Sequence, residues 1–169
     1  MNNNARIAAA ITTLMCGSAL LLAPVTASAQ PRTAVTHADV HCEHVTGEFV
    51  FSSLEFTSPT TAVGAGTATG DFPGTFRADY SNIHQPPGGP IKMDATHAIT
   101  TPEGTLVTSD EILLIPQVEP GVHRANSRLH IVGETGEFAG ATGLLHTSGT
   151  VNLGTLEGAI GFKGKICFA

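Results

Sequence analysis

The sequence predicts an all-β domain, an eight-stranded antiparallel closed barrel, with an open β-sandwich as the alternative. Three observations predict it. The chain holds 19 glycines and 10 prolines, and beyond its N-terminal leader no stretch keeps a helical period for three turns without meeting one of them. Apolar residues instead alternate, or cluster in short runs between Gly, Pro, Asn and Asp. The first and last of these runs each carry one cysteine, Cys42 and Cys167.

The leader starts at Met1 and Arg6, runs apolar from Ile7 to Ala23, and closes on Ala27-Ser28-Ala29 before Gln30. A charged start, an apolar middle and an A-x-A site in that order read as a cleavable signal peptide over residues 1–29. Thr12, Thr13, Cys16, Gly17 and Ser18 interrupt the run. It is too short and too mixed for a bilayer span of about 20 residues, so stable membrane insertion is not expected. Met15 stands where a lipoprotein site at Cys16 would want a small residue. The expected location is secreted, extracellular or periplasmic. Residues 30–39 read as a flexible lead-in and 40–169 as a single domain large enough for a real core.

Eight strands are expected in order, at about 41–52, 61–70, 74–84, 91–100, 105–115, 122–132, 142–152 and 156–168. In the first, Val45, Phe49 and Phe51 share one face, and Cys42, His44 and Glu48 share the other. The second is a Thr, Ala, Val and Gly run that ends at Gly70. In the third, Phe76, Ala78, Tyr80 and Asn82 point inward, and Arg77 and Asp79 outward. Gln85-Pro86-Pro87-Gly88-Gly89-Pro90 cannot lie inside a strand and forms a surface loop. The fourth strand directs Met93, Ala95, His97 and Ile99 inward, and Thr101-Pro102-Glu103-Gly104 turns it into the fifth.

Two strands leave their inner face open. In 105–115, Asp110 with Ile112 and Leu114 competes with Glu111 beside Leu113 and Ile115. In 142–152, His146 with Leu144 competes with Leu145 and Val151. Pro116 and Pro120-Gly121 bound the connection to the sixth strand, whose inner set is Ala125, Ser127, Leu129 and Ile131, with Arg124, Asn126, Arg128 and His130 outside. The eighth alternates most cleanly: Leu156, Gly158, Ile160, Phe162, Gly164, Ile166 and Phe168 lie inside, and Glu157, Lys163, Lys165 and Cys167 outside.

Cys42 and Cys167 therefore both face outward, and in an oxidising compartment they predict one disulfide. Such a bridge makes the first and last strands neighbours, as closure of a barrel requires. A motif also recurs, as Thr46-Gly47-Glu48-Phe49, Thr69-Gly70-Asp71-Phe72 and Thr135-Gly136-Glu137-Phe138. Repeated turn architecture accounts for every position: glycine for the turn, a carboxylate for local N–H groups, and Phe for the core.

The segment Gly133-Glu134-Thr135-Gly136-Glu137-Phe138-Ala139-Gly140-Ala141-Thr142-Gly143, followed by Gly158-Ala159-Ile160-Gly161-Phe162-Lys163-Gly164-Lys165-Ile166, resembles the allene oxide cyclase barrel and dirigent-like families. The likeness covers the C-terminal quarter in detail and the eight-strand plan in outline. It implies a calycin-like barrel with a mostly apolar cavity that acts without metal or organic cofactor. Enzymes of these families steer cyclisation or coupling of a hydrophobic intermediate by holding its conformation. Their catalytic residues have no counterparts that can be matched in this chain, so activity is not carried over.

The chain carries 14 acidic against 8 basic residues, and an acidic surface with scattered Lys and Arg argues against a nucleic-acid partner. The expected partner is a small hydrophobic molecule, and the oligomeric state stays open, a homo-oligomer included. The inner polar set is Tyr80, Asn82, His97, one of Asp110 or Glu111, and His146. In an apolar pocket these groups suit ligand binding, and His97 with Asp110 or Glu111 suits acid–base work. Each fits equally a side chain satisfied by its neighbours. Two functions follow: a secreted module binding a hydrophobic molecule, or a cofactor-free cyclase or isomerase using the same cavity. A third is an interaction protein whose barrel is merely filled. Convergence of two titratable inner groups separates the second from the first.

His37, Asp39, His41, Cys42, Glu43 and His44 are dense in metal-ligand types. On a strand, however, His41 and His44 face opposite ways, and a disulfide removes Cys42 as a ligand. No metal site is expected there.

Overall fold

Alternating side chains become eight antiparallel strands: β1 His41–Ser58, β2 Thr61–Ala68, β3 Gly74–His84, β4 Ile91–Thr101, β5 Gly104–Pro116, β6 Val122–Ile131, β7 Thr142–Asn152 and β8 Gly158–Phe168. The computed structural model describes residues 40–168; the expected signal peptide and lead-in lie outside them. Each strand pairs with its sequence neighbours, and β1 pairs with β8 from His41↔Phe168 to Phe49↔Ile160. The sheet is thus a closed barrel without free edges, and the sandwich alternative falls.

Cys42 lies opposite Cys167 in that seam, and the two form the expected disulfide. Three boundaries differ from expectation by two residues or more, the first being that of β2, which ends at Ala68 and not at Gly70. β1 runs on to Ser58 because irregularities between Phe51 and Ser53 and between Phe56 and Ser58 bend it without ending it. β8 starts at Gly158, since Leu156 has φ +61° in the preceding turn.

The recurrent motif explains why one end of the barrel is plugged. Phe72 from the β2–β3 turn and Phe138 from the short 3₁₀ turn Gly136–Phe138 are both buried, with ring centroids 5.8 Å apart. Phe162 lies 5.7 Å from Phe72 and 4.8 Å from Phe49, and Phe49 meets Phe76 at 5.2 Å. The turn reading holds only in part: Gly70 and Gly136 sit at φ +79° and +62°, but the first copy lies within β1, and Asp71 accepts its hydrogen bond, at 2.6 Å, from the Thr46 N–H of that strand and not from a local N–H. Gly66 lets the Phe76 ring close in, since a Cβ there would stand 2.7 Å from its Cε1. Large side chains therefore fill the plugged half. The opposite end, ringed by the β1–β2, β3–β4, β5–β6 and β7–β8 connections, is open.

Candidate functional site

Midway along the barrel, β4 and β5 turn polar side chains into the apolar interior. Their two-residue turn at Pro102-Glu103 sets His97 opposite Thr108 and Ala95 opposite Asp110. All four point inward, so Asp110 is diagonal to His97, and His97 Nδ1 lies 2.5 Å from Asp110 Oδ2. A carboxylate only accepts, so the Nδ1–H donates and the ring is held as the tautomer that leaves Nε2 uncommitted. Both side chains are buried. Asp110 Oδ1 and Thr108 Oγ1 are buried as well, and neither has a hydrogen-bond partner among the described residues. Unpartnered buried polar atoms are rare, and these two leave hydrogen-bonding capacity free beside His97.

Aromatic rings hold His97 in place. Phe49 stacks on it with centroids 5.8 Å apart and planes 19° from parallel, and Phe76 lies at 5.9 Å. Tyr80, from β3, meets it edge-on at 6.0 Å. Burial, and after it the charge of Asp110, raise the Tyr80 hydroxyl well above the ordinary tyrosine range.

Tyr80 also belongs to a second feature, the mouth at the open end. This is a cavity of about 320 Å³ lined mainly by apolar side chains, including Leu54, Phe56, Ile83, Ile91, Leu114 and Leu153, with Tyr80 and Gln85 as its polar groups. Phe56 is 62% exposed at the rim, a large apolar surface for a side chain beside an apolar opening. Between mouth and pair lie two small voids, one of about 40 Å³ against Phe51, Leu54 and Leu114, and one of about 30 Å³ against His97, Ser127 and Thr147. Leu114 lines the mouth and both voids, and Phe51 lines the two voids. A path from the mouth to His97 thus exists in segments, interrupted by these two side chains. A larger depression of about 470 Å³, lined by Asp94, Glu111, Leu113 and Arg128 among others, lies on the outer face of the sheet; it is shallow and charged.

Of the expected inner polar residues, the structure brings Tyr80, His97 and Asp110 together and sends the others outside. Asn82 is exposed: its φ of +53° and the irregular pairing between Ser81 and His84 break the alternation, and Ile83 takes the inward place. Its Nδ2 instead donates to Asp94 Oδ2 at 2.7 Å. Glu111 is exposed because Asp110 occupies the inner position beside it, and His146 is exposed because Leu145 does the same on β7. Thr108 and Thr147, which periodicity left unassigned, join the inner set, and Leu54, Phe56 and Leu153 line the mouth.

His41 lies 2.9 Å from Glu43, and Cys42 is committed to the disulfide. His37 and Asp39 lie outside the described residues. Among the described residues no three His, Cys, Asp or Glu side chains gather as a metal-holding group, and no helix is long and apolar enough to cross a membrane.

The Tyr80 environment makes a prediction. Between the ordinary tyrosine value of about 10 and the higher folded value, the unfolded chain releases a proton that the folded chain keeps. Stability from this residue is therefore complete below about pH 10 and falls as pH rises through that window. Tyr80 is the one tyrosine of the chain, which has no tryptophan, so tyrosinate absorbance reads it alone. It should emerge together with unfolding and not before. Asp110→Asn should move the onset down by the smaller share, because burial is the larger cause.

The closed eight-stranded barrel accords with calycin-like barrels in general, but no protein-family model, no curated protein and no solved structure matches this chain.

Proposed function

We propose that this protein is exported and holds a small hydrophobic molecule at the open end of its barrel, with the apolar body in the mouth and a polar group directed toward Tyr80. The observation that carries this reading is the apolar cavity of about 320 Å³, at the small end of the usual ligand-site range of roughly 300–1,000 Å³. A barrel plugged by Phe72 and Phe138 at one end and open at the other admits a ligand from one side only. The disulfide fits an oxidising compartment. The allene oxide cyclase and dirigent-like resemblance agrees with an apolar cavity used to fix a ligand's conformation.

Tyrosine emission tests it directly, since the single fluorophore lies in the cavity wall. Titration with small apolar probes should change Tyr80 emission saturably. Ala62→Leu, which places added bulk beside Tyr80 in the same lining, should weaken the response about tenfold or more. Native mass spectrometry of the exported protein should also carry a co-purifying small molecule. If a broad panel of probes leaves the emission unchanged and repeated preparations carry nothing, the cavity is not a binding site.

The His97–Asp110 pair favours a second reading, proton transfer on the same ligand. With Nδ1–H held by Asp110, His97 Nε2 is the basic atom, able to take a proton from an acidic C–H and return it elsewhere on the molecule, with Tyr80 O–H bonded to the developing oxyanion. That is the chemistry of a cofactor-free isomerase or cyclase. It requires Phe51 and Leu114 to swing aside. The two readings separate cleanly: His97→Gln abolishes turnover of a true substrate and leaves probe binding at the mouth within about twofold.

A further inference from the structure

Strands β6, β7 and β8 contain no Asp or Glu, although the chain as a whole is acidic, with a formal net charge of -6. Arg124, Arg128, Lys163 and Lys165 stand exposed on the outer faces of β6 and β8. The register sets most of them in rows. Arg128 lies opposite His146 on β7, and His146 opposite Lys163 on β8. The next row runs from His130 through Leu144 to Lys165 and on to His44 of β1. Cations that look scattered along the sequence are thereby gathered into one field by the successive pairing of β6, β7 and β8, to which the closing seam adds His44.

Arg128, Lys163 and Lys165 take part in no ion pair among the described residues. Glu111, opposite Arg128 on β5, marks the border of the field. A face that concentrates positive charge on an acidic protein, with no carboxylate of its own strands to offset it, is complementary to an external anion.

We propose that the outer face of β6–β8 binds an anionic polysaccharide. The residues between the cations select this class. Asn126 and Ser148, exposed and paired across β6–β7, offer an amide and a hydroxyl to a hydroxyl-rich chain. No Phe, Tyr or Trp points outward from these strands to stack on bases, as single-stranded nucleic acid wants. No large exposed apolar side chain stands there to anchor in a bilayer.

Immobilised heparin tests the proposal, because the net charge of this protein opposes retention and only a local field can supply it. The wild type should be held at low salt and released as salt rises. Lys163→Gln/Lys165→Gln should elute at about half the salt and lower the slope of log affinity against log salt by about two. Arg77→Gln/Lys92→Gln, on the outer face of β3 and β4, should elute with the wild type. Flow-through of the wild type overturns the proposal, as does a Lys163/Lys165 variant that elutes unchanged while its far-ultraviolet spectrum shows a normal barrel. Binding to single-stranded DNA or anionic phospholipid vesicles without binding to heparin gives the face to another class of partner. Salt-sensitive self-association lost in the same double variant makes a second copy of the chain the occupant. Either result refutes the polysaccharide.

Discussion

Loss of the Cys42–Cys167 bridge should lower stability by about 4–5 kcal/mol, the largest effect expected from any single covalent change. The bridge joins residues 125 apart in sequence, and in the chain-entropy account closing so long a loop restricts the unfolded ensemble strongly. Its position adds a second effect. It sits at the start of the β1–β8 seam, one pair in from His41↔Phe168, so without it the seam can fray from the end where both strands begin to pair. Cys42→Ala/Cys167→Ala and reduced wild type should behave alike in urea denaturation, each with its midpoint far below that of the oxidised protein. An unchanged midpoint on reduction would show that strand pairing alone closes the barrel.

The His97–Asp110 pair should show a pronounced asymmetry between single and double substitution. Asp110→Leu leaves the His97 Nδ1–H without an acceptor in an apolar interior, and His97→Leu leaves the carboxylate alone there. Removing one partner of a buried pair typically costs about 3–5 kcal/mol. Replacing both, as His97→Leu/Asp110→Leu, removes the unpaired groups and the desolvation penalty together, and should recover most of the loss or exceed the wild type. Denaturant midpoints of the three variants form the cycle that measures this. Additive losses would mean that the two side chains are not coupled. If the asymmetry holds, stability is no reason for the pair, and its presence beneath an open apolar mouth is a matter of what the mouth receives.

Most of the architecture was legible in the sequence because turn residues and period-two alternation are local signals. Gln85 to Pro90 cannot be strand, Thr101 to Gly104 must turn, and the β8 pattern separates its faces without ambiguity. The site was only half legible. Periodicity could not choose between Asp110 and Glu111, since both have apolar neighbours two residues away. Register could have chosen. A two-residue turn at Pro102-Glu103 pairs Thr101 with Gly104, hence His97 with Thr108 and Ala95 with Asp110, and the inner face of β4 then fixes that of β5.

Asn82 failed for a different reason. Alternation assumes an unbroken strand, and one residue at φ +53° reverses every face beyond it. Asn is among the few residues that take this conformation readily, so its place beside the Pro-rich loop was the available warning. The cationic face is not legible in the sequence because its members come from separate strands, and their alignment is set by the β6–β7 and β7–β8 registers.

The pairing of His41 with Phe168 has a practical meaning for orientation. Both ends of the described chain emerge at the rim that Phe72 and Phe138 obstruct. Anything attached ahead of residue 40 or behind residue 168 therefore joins the barrel at its base. A molecule tethered to a surface through either end would stand like a cup on its foot, its opening free to face the medium.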